Sequence, residues 1–173
     1  MSEQQNDNRL REGYERLLER MQGGANELTW ENLQKDLDDA VEFESELEEY
    51  TKDELALLRA WVERDLKDMR YFMADTGKQV ASWLGIDIDG LSRRVAESLL
   101  SIADRSVVER ERFEEDLEAA RADYCEGEMA APGLMACTHC DAQVMLPTVA
   151  RLEPCHQCGH RYFYRFPNKI IET

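Results

Sequence analysis

Residues 137–159 read CTHCDAQVMLPTVARLEPCHQCG and contain two C-x-x-C pairs, Cys137 with Cys140 and Cys155 with Cys158. Two cysteines at this spacing can bind one metal ion from a single tight turn, and two such turns supply four sulfur ligands. Four thiolates form the closed tetrahedral shell that structural Zn²⁺ prefers. The pattern therefore predicts a structural zinc site formed by these four cysteines.

Short β-prone segments follow each cysteine pair. In residues 142–147 the side-chain character alternates from one residue to the next, as in a strand. Residues 161–166 show the same alternation in part. A cysteine pair followed by a strand, and then a second cysteine pair followed by a second strand, is the order typical of a zinc ribbon. A unit this small buries little surface, so we expect the metal to supply folding energy. Asp141 and Gly159 directly follow the two pairs, at positions where a positive φ is expected.

The preceding part of the chain predicts helices. Thr51-Lys-Asp-Glu54 has the pattern of a capping box at a helix start. The apolar stripe after it is close to a coiled-coil seam and consists of Leu55, Leu58, Val62, Leu66, Met69 and Met73. A second long helix is expected from Asp89 to about Tyr124. We therefore predict a mainly α fold, an elongated antiparallel helical hairpin or bundle with a small C-terminal β zinc ribbon.

Charge and composition divide the chain at a short linker. Residues 1–133 contain 34 acidic and 17 basic side chains, whereas residues 134–173 contain 3 and 4. Glycine and proline interrupt regular structure near the division. We place an acidic, coiled-coil-like helical region at 1–126, a linker at 127–133 and the zinc ribbon at 134–173. The glutamates between residues 42 and 49 could bind a cation or a basic partner, but we interpret them as a solvated helix face.

The composition also argues against several functions. A net charge of −16 disfavours sequence-independent nucleic-acid binding and binding to anionic membranes. The sequence has no apolar run long enough for a transmembrane helix and no apolar signal region. The cysteine pairs suit a reducing compartment. We therefore expect a cytoplasmic protein. Residues 1–133 contain no histidine, which excludes a Glu-x-x-His di-iron site and a histidine-activated nucleophile there.

The metal site itself is not expected to be catalytic. Four sulfur ligands leave no coordination position for water or substrate. The histidines His139, His156 and His160 are interpreted as loop residues or as donors around the sulfurs. Cys125 has no place in the four-sulfur geometry, so we interpret it as a reduced thiol and leave its role open.

The last strand interleaves basic and aromatic side chains, namely Arg161, Tyr162, Tyr164 and Arg165. Such side chains can stack on nucleotide bases or contact phosphates. The alternative is that Phe163 or its neighbours pack the ribbon core while the arginines stay solvated. Four thiolates with Zn²⁺ carry −2, which changes the formal ribbon charge from +1 to −1 and favours the alternative.

The chain resembles a family of uncharacterised proteobacterial zinc-ribbon-containing proteins, which join an acidic helical region to a C-terminal four-cysteine ribbon. In the helices the resemblance rests on Leu58-Arg-Ala, Arg64-Asp-Leu66, Glu97-Ser-Leu99 and Phe113-Glu-Glu-Asp-Leu117. In the ribbon it rests on Cys137-x-x-Cys140, Leu146-Pro147, Leu152, Pro154-Cys155, Cys158-Gly159-His160 and Phe166-Pro167. The resemblance implies metal binding and this architecture, and it implies no reaction.

The leading hypothesis is a non-enzymatic zinc-binding protein with an interaction or regulatory role. Its expected partner is another protein, or a second copy bound through the helices. One alternative is a nucleic-acid-associated regulator that contacts its ligand through Arg161–Phe166. Another is an enzyme with a site between the helices and the ribbon. The sequence indicates no small-molecule substrate and no membrane partner.

Overall fold

The computed structural model describes residues 2–21, 30–76, 93–105 and 124–165. In these ranges the chain forms four helices, which are α1 Glu3–Met21, α2 Trp30–Glu46, α3 Lys52–Thr76 and α4 Arg93–Arg105. Helix α1 contacts each of the other three, so the described helices form a bundle. None of these helices is long and apolar enough to cross a membrane.

The predicted apolar stripes lie inside the bundle. Helix α1 buries Leu10, Tyr14, Leu17, Leu18 and Met21, and α3 buries Leu55, Leu58, Trp61, Val62, Leu66 and Met69. The side chain of Met73, the last residue of the predicted seam, lies outside the described part. Burial of these faces supplies the main driving force for the bundle, because apolar area removed from water is stabilising.

The predicted capping box at the start of α3 is confirmed. The backbone N–H of Glu54 donates to Thr51 Oγ1 over 3.1 Å. The backbone N–H of Thr51 donates to Glu54 Oε2 over 2.9 Å. Two N–H groups that have no partner within the helix are therefore satisfied by side chains.

The glutamate run at the end of α2 differs from its interpretation at one position. Glu42 and Glu46 are exposed, as a solvated face requires, but Glu44 is fully buried. Its Oε1 accepts a hydrogen bond of 2.6 Å from Nε of Arg20, and its Oε2 lies 3.7 Å from Arg16. Glu44 therefore joins α2 to α1, because a buried carboxylate must be paired.

The C-terminal part forms short antiparallel strands, which are β1 Tyr124–Cys125, β2 Met129–Ala130, β3 Gly133–Cys137, β4 Gln143–Leu146, β5 Ala150–Arg151 and β6 Tyr162–Arg165. One sheet has the order β1-β6-β3-β4, and β2 pairs with β5. The predicted combination of helices with a small C-terminal β unit is confirmed. Strand β6 lies between β1 and β3, so it is an inner strand of its sheet.

The β unit begins earlier than the predicted ribbon boundary at residue 134. The segment 127–133, expected to be a linker, contains β2 and the start of β3. Tyr124, expected at the end of a long helix, lies in β1 opposite Phe163. The physical reason is burial: residues 129–133 are all buried, so they belong to a core. The part of the predicted long helix at 106–123 lies outside the described residues.

The ribbon shares its core with the helices. Met129, Ala131 and Val149 belong to the same apolar cluster as the helix stripes. A second cluster fills the ribbon itself and contains Tyr124, Ala130, Met135, Cys137, Leu146, Leu152, Cys155 and Phe163. The ribbon therefore packs against α1 and α3 through both backbone and side chains.

Candidate metal centre

The four predicted cysteines are brought together. Cys137 ends β3, Cys140 lies in the turn after it, and Cys155 and Cys158 lie between β5 and β6. Their Sγ atoms all lie within 4.8 Å of one another. Cys137 and Cys158 are 3.6 Å apart, and Cys140 and Cys155 are 3.5 Å apart. A tetrahedral Zn²⁺ with Zn–S bonds of about 2.3 Å needs sulfur–sulfur edges of about 3.8 Å, so the donor set fits this ion.

The two cysteine pairs have the same local geometry. The N–H of Asp141 donates to the carbonyl of Cys137 over 3.0 Å, and the N–H of Gly159 donates to that of Cys155 over 2.8 Å. The φ angles of Asp141 and Gly159 are 59° and 75°, as predicted. Both chain segments therefore close a tight turn that points two sulfurs inward, and Asp is one of the few non-glycine residues that tolerate this conformation.

The environment of the sulfurs favours a bound cation. Hydrogen bonds from the backbone N–H groups of Cys158 and Gln157 lower the pKa of Cys155 to about 6. The N–H of Ala142 lowers the pKa of Cys140, but burial and the adjacent thiols outweigh it and raise the pKa to about 12. One thiolate thus opposes ionisation of its neighbour, and a divalent cation would remove this opposition.

The four converging sulfurs form a candidate metal site. Within residues 2–21, 30–76, 93–105 and 124–165, these cysteines are the one group of three or more His, Cys, Asp or Glu side chains close enough to hold an ion. The rings of His139 and His160 lie 5.3 Å apart, centroid to centroid. They stand beside the four sulfurs as loop residues, in keeping with their interpretation.

Cys125 lies outside the four-sulfur group. It belongs to β1, is half-buried, and its backbone N–H donates to Glu128 over 3.3 Å. All five cysteines are free of disulfides. Cysteines bind metal ions as free thiolates.

The four candidate contact residues, Arg161 just before β6 and three residues within it, differ in exposure. Arg161 and Tyr162 are exposed, and Arg161 pairs with Glu126 over 3.1 Å. Tyr164 donates to Asp141 over 3.1 Å. Arg165, in contrast, has a side chain that is only 2% exposed. Its side chain is therefore not available to a ligand on the surface, and the expectation that the arginines stay solvated holds for Arg161 alone.

Arg165 is instead the centre of a buried polar network. Its Nε donates to Asp68 over 3.1 Å, and its Nη2 lies 3.5 Å from Oδ1 of Asp65. Its Nη1 and Nη2 also donate to the carbonyls of Pro132 and Ala131, over 2.8 and 3.2 Å. Burial lowers the pKa of Arg165, but nearby Tyr124, Asp65 and Asp68 outweigh it and raise the pKa above its ordinary value. The guanidinium is charged and compensated.

Two tyrosines complete the network. Tyr14 of α1 donates to Asp65, and Tyr124 of β1 donates to Asp68 over 2.9 Å. Burial, followed by the charge of Asp65, raises the pKa of Tyr14 well above its ordinary value, so its hydroxyl remains a donor. Asp65 also accepts a hydrogen bond of 3.0 Å from the N–H of Ala131. The sequence offered one signal for this network: Asp65 lies four residues after Trp61, on the widened apolar face of α3.

Arg64 forms the second polar link between α3 and the ribbon. It donates to the carbonyl of Met129 over 2.6 Å and pairs with Glu128. Its guanidinium also lies over the ring of Tyr124, 4.2 Å from the centroid. These contacts attach α3 to β1, to β2 and to the turn between them, which overlaps the predicted linker.

Comparison with known proteins agrees with this geometry. A family model described as a zinc-ribbon containing domain matches residues 22–167. No curated protein and no solved structure matches the chain. Because the family match includes the four cysteines and most of the helical region, the chain belongs to the zinc-ribbon containing domain family.

Proposed function

We propose that this protein is a non-enzymatic interaction module, in which a structural zinc ribbon is fixed to an acidic helical scaffold. The observation that supports this proposal best is the closed set of four sulfurs, which leaves no coordination position for a substrate. In this role Zn²⁺ supplies folding energy and Cys137, Cys140, Cys155 and Cys158 hold it. The free cysteines suit a reducing compartment such as the cytoplasm.

The proposed contact surface lies at the end of α2, around Phe43 and Leu47. Each of these side chains is 45% exposed. A groove of about 330 Å³ beside Phe43 has Ala40 and Met21 among its lining residues. Acids of α2 lie at this surface: Asp36 and Asp39 line the groove, and the exposed Glu42 and Glu46 are at the same end of the helix. An apolar patch with an acidic rim fits a basic amphipathic helix of a partner protein.

Crosslinking in cells followed by mass spectrometry tests this proposal. We expect crosslinks from a protein partner to α2, and we expect Leu47→Ser to reduce them. Leu57→Ser is the matched control, since Leu57 is 49% exposed but lies on α3. Binding of the purified partner should weaken as salt increases, because exposed acids contribute to it. A purified monomer without a partner that turns over a substrate would overturn the proposal.

A nucleic-acid role is the second candidate, and the exposure of Arg161 and Tyr162 is the observation in its favour. The burial of Arg165 weakens this candidate, because the one remaining basic side chain of the set, Arg161, supplies little affinity for phosphates. Fluorescence anisotropy with single-stranded RNA at low salt provides the test. Binding that Arg161→Ala abolishes would support this role, and absence of binding at low salt would end it.

An enzyme site between helices and ribbon is the third candidate. A groove of about 540 Å³ lies at this position, between the first turns of α1 and residues 148–154. Asp7 and Arg151 in its lining pair with each other over 2.7 Å, and Arg151 also donates to the carbonyl of Gly127 over 2.6 Å. These partners give both side chains a structural role, so we rank this candidate below the other two.

A further inference from the structure

Strand β6 connects the four-sulfur site to the helical bundle. It begins four residues after Cys158 and ends at Arg165, whose side chain lies against α3. We propose that the ribbon and the bundle are thermodynamically coupled, so that metal binding orders β6 and thereby stabilises α3 and α1 through Arg165. The same coupling makes Asp65 a positioning residue for the metal site, although it is not a ligand.

The first half of the connection runs from the sulfurs to β6. Cys137 lies opposite Phe163 in the sheet, so a ligand and a core residue of β6 share one register position. The N–H of Thr138, next to Cys137, donates to the carbonyl of Tyr162 over 3.1 Å. The N–H of Cys155 donates to the carbonyl of His160 over 2.9 Å. Backbone hydrogen bonds therefore attach the first cysteine turn to the start of β6 and the second to the residues that lead into it.

The second half runs from β6 to the helices. Arg165 contacts Asp65 and Asp68 of α3, and Asp65 accepts the hydroxyl of Tyr14 from α1. Further groups around Arg165 come from the ribbon side and include the hydroxyl of Tyr124 and the carbonyls of Ala131 and Pro132. One buried cation thus touches both the sheet and the bundle.

The energetic consequence follows from burial of the charges. A buried guanidinium or carboxylate that loses its partner keeps its desolvation cost without the compensating attraction. Displacement of β6 would therefore take the Arg165 guanidinium away from Asp65 and Asp68. Asp65 would keep the neighbouring Arg64, 3.4 Å away, and the hydroxyl of Tyr14, so α3 would lose part of its charge compensation and would be destabilised. Coupling between two sites is reciprocal, so a change that breaks the network from the helical side must also weaken metal binding.

Hydrogen exchange of the wild-type chain tests the first direction and needs no variant. Amide exchange is measured by mass spectrometry with Zn²⁺ bound and after its removal with a chelator. We expect faster exchange in the metal-free chain at α3 around residues 62–69 and at α1 around residues 10–18, as well as in the ribbon. An increase confined to residues 124–165 would overturn the proposal.

Zinc affinity tests the reverse direction, with competition against a chromophoric chelator as the measurement. Asp65→Asn should weaken Zn²⁺ affinity by about 5- to 150-fold, the usual range of coupling between sites. Asp53→Asn is the matched control on the exposed side of α3 and should leave affinity unchanged. Within β6 and its approach, Arg165→Met should weaken affinity and the exposed Arg161→Met should not.

The two measurements together keep the proposal testable even if a variant does not fold. If Asp65→Asn does not fold, the exchange of the wild-type chain still decides. If Asp65→Asn folds and binds Zn²⁺ within about twofold of the wild type, no useful coupling exists and the proposal is wrong. Because neither measurement involves a partner, the result is independent of the interaction role proposed above.

Discussion

Glu54 has two roles at the start of α3. Its carboxylate accepts the backbone N–H of Thr51 and, from α1, the guanidinium of Arg9 over 2.8 and 3.1 Å. A cap that was predicted from four residues of sequence is therefore also a link between two helices. The sequence could predict the cap because both partners are local, but it could not predict Arg9, which is 45 residues away.

Removal of the capping hydroxyl should destabilise the fold. We expect Thr51→Ala to lower the free energy of unfolding by about 1 kcal/mol, because the N–H of Glu54 loses its acceptor. Urea unfolding with Zn²⁺ in excess, followed by circular dichroism, measures the change. Lys52→Ala, at an exposed position beside the cap, is the control, and an equal loss in both variants would contradict the role of the hydroxyl.

The same carboxylate should have a shifted titration. The Arg9 hydrogen bond, partly opposed by burial, holds the pKa of Glu54 below its ordinary value of 4.5. Because the folded pKa is depressed, the stabilisation is present above pH 4.5 and is lost as pH falls through the lower folded pKa. Carboxyl-carbon NMR should show this low pKa in the wild type. In Arg9→Gln the pKa should rise, and an unchanged value would contradict the assignment.

Helices α1 and α3 approach each other closely at Gly13. A Cβ atom built on Gly13 would lie 2.7 Å from Cδ1 of Leu58 and 3.0 Å from the ring of Tyr50. Real Cβ atoms do not occupy such positions without displacement of a neighbour. The helical position of Gly13 is thus explained by packing and not by its backbone conformation.

Gly13→Ala should destabilise the bundle although alanine favours helix. The gain in helix propensity is about 1 kcal/mol, whereas overpacking a core costs about 1–3 kcal/mol. We expect a net loss of about 1 kcal/mol in urea unfolding. In a Leu58→Ala background the added methyl fills vacated space, so Gly13→Ala should there be neutral or stabilising. A loss of equal size in both backgrounds would exclude the proposed clash.

The helices were predictable from the sequence and the first strands were not. Leu55, Leu58 and Val62 carry a repeat that only a helix produces, and all three are buried. Strands β1 and β2 have two residues each, which is too short to show the alternation of side chains that identifies a strand. Tyr124 also falls on a helical stripe, and it forms a strand because β6 is available as a partner.

The metal site was predictable, whereas the network around Arg165 was not. The spacing of the four cysteines is by itself enough to predict that they bind one metal ion. Arg165 shares a face of β6 with Phe163, two residues earlier, so burial of one implies that the other points to the same side. The alternation does not reveal that α3 covers this side with Asp65 and Asp68, because that contact spans about a hundred residues of sequence.

The chain should bind one zinc ion, and it should not need Cys125 to do so. We expect Cys125→Ser to retain one equivalent of Zn²⁺, because Cys125 lies outside the four-sulfur group. Cys158→Ser should lose the ion and the order of the ribbon. Metal analysis and the absorption of the Co²⁺-substituted chain measure both effects. Loss of metal in Cys125→Ser would show that the ligand set is wrong.

The shared core of ribbon and helices has a consequence for recombination between genes. A zinc ribbon is often regarded as a portable module, but this one would not survive transfer to another host chain as residues 134–173. It would lose β1 and β2, and it would present Arg165 and Val149 to water or to an unrelated surface. Exchange within the family should therefore join ribbons to helices whose α3 offers carboxylates at the positions of Asp65 and Asp68, and the two parts should be inherited together.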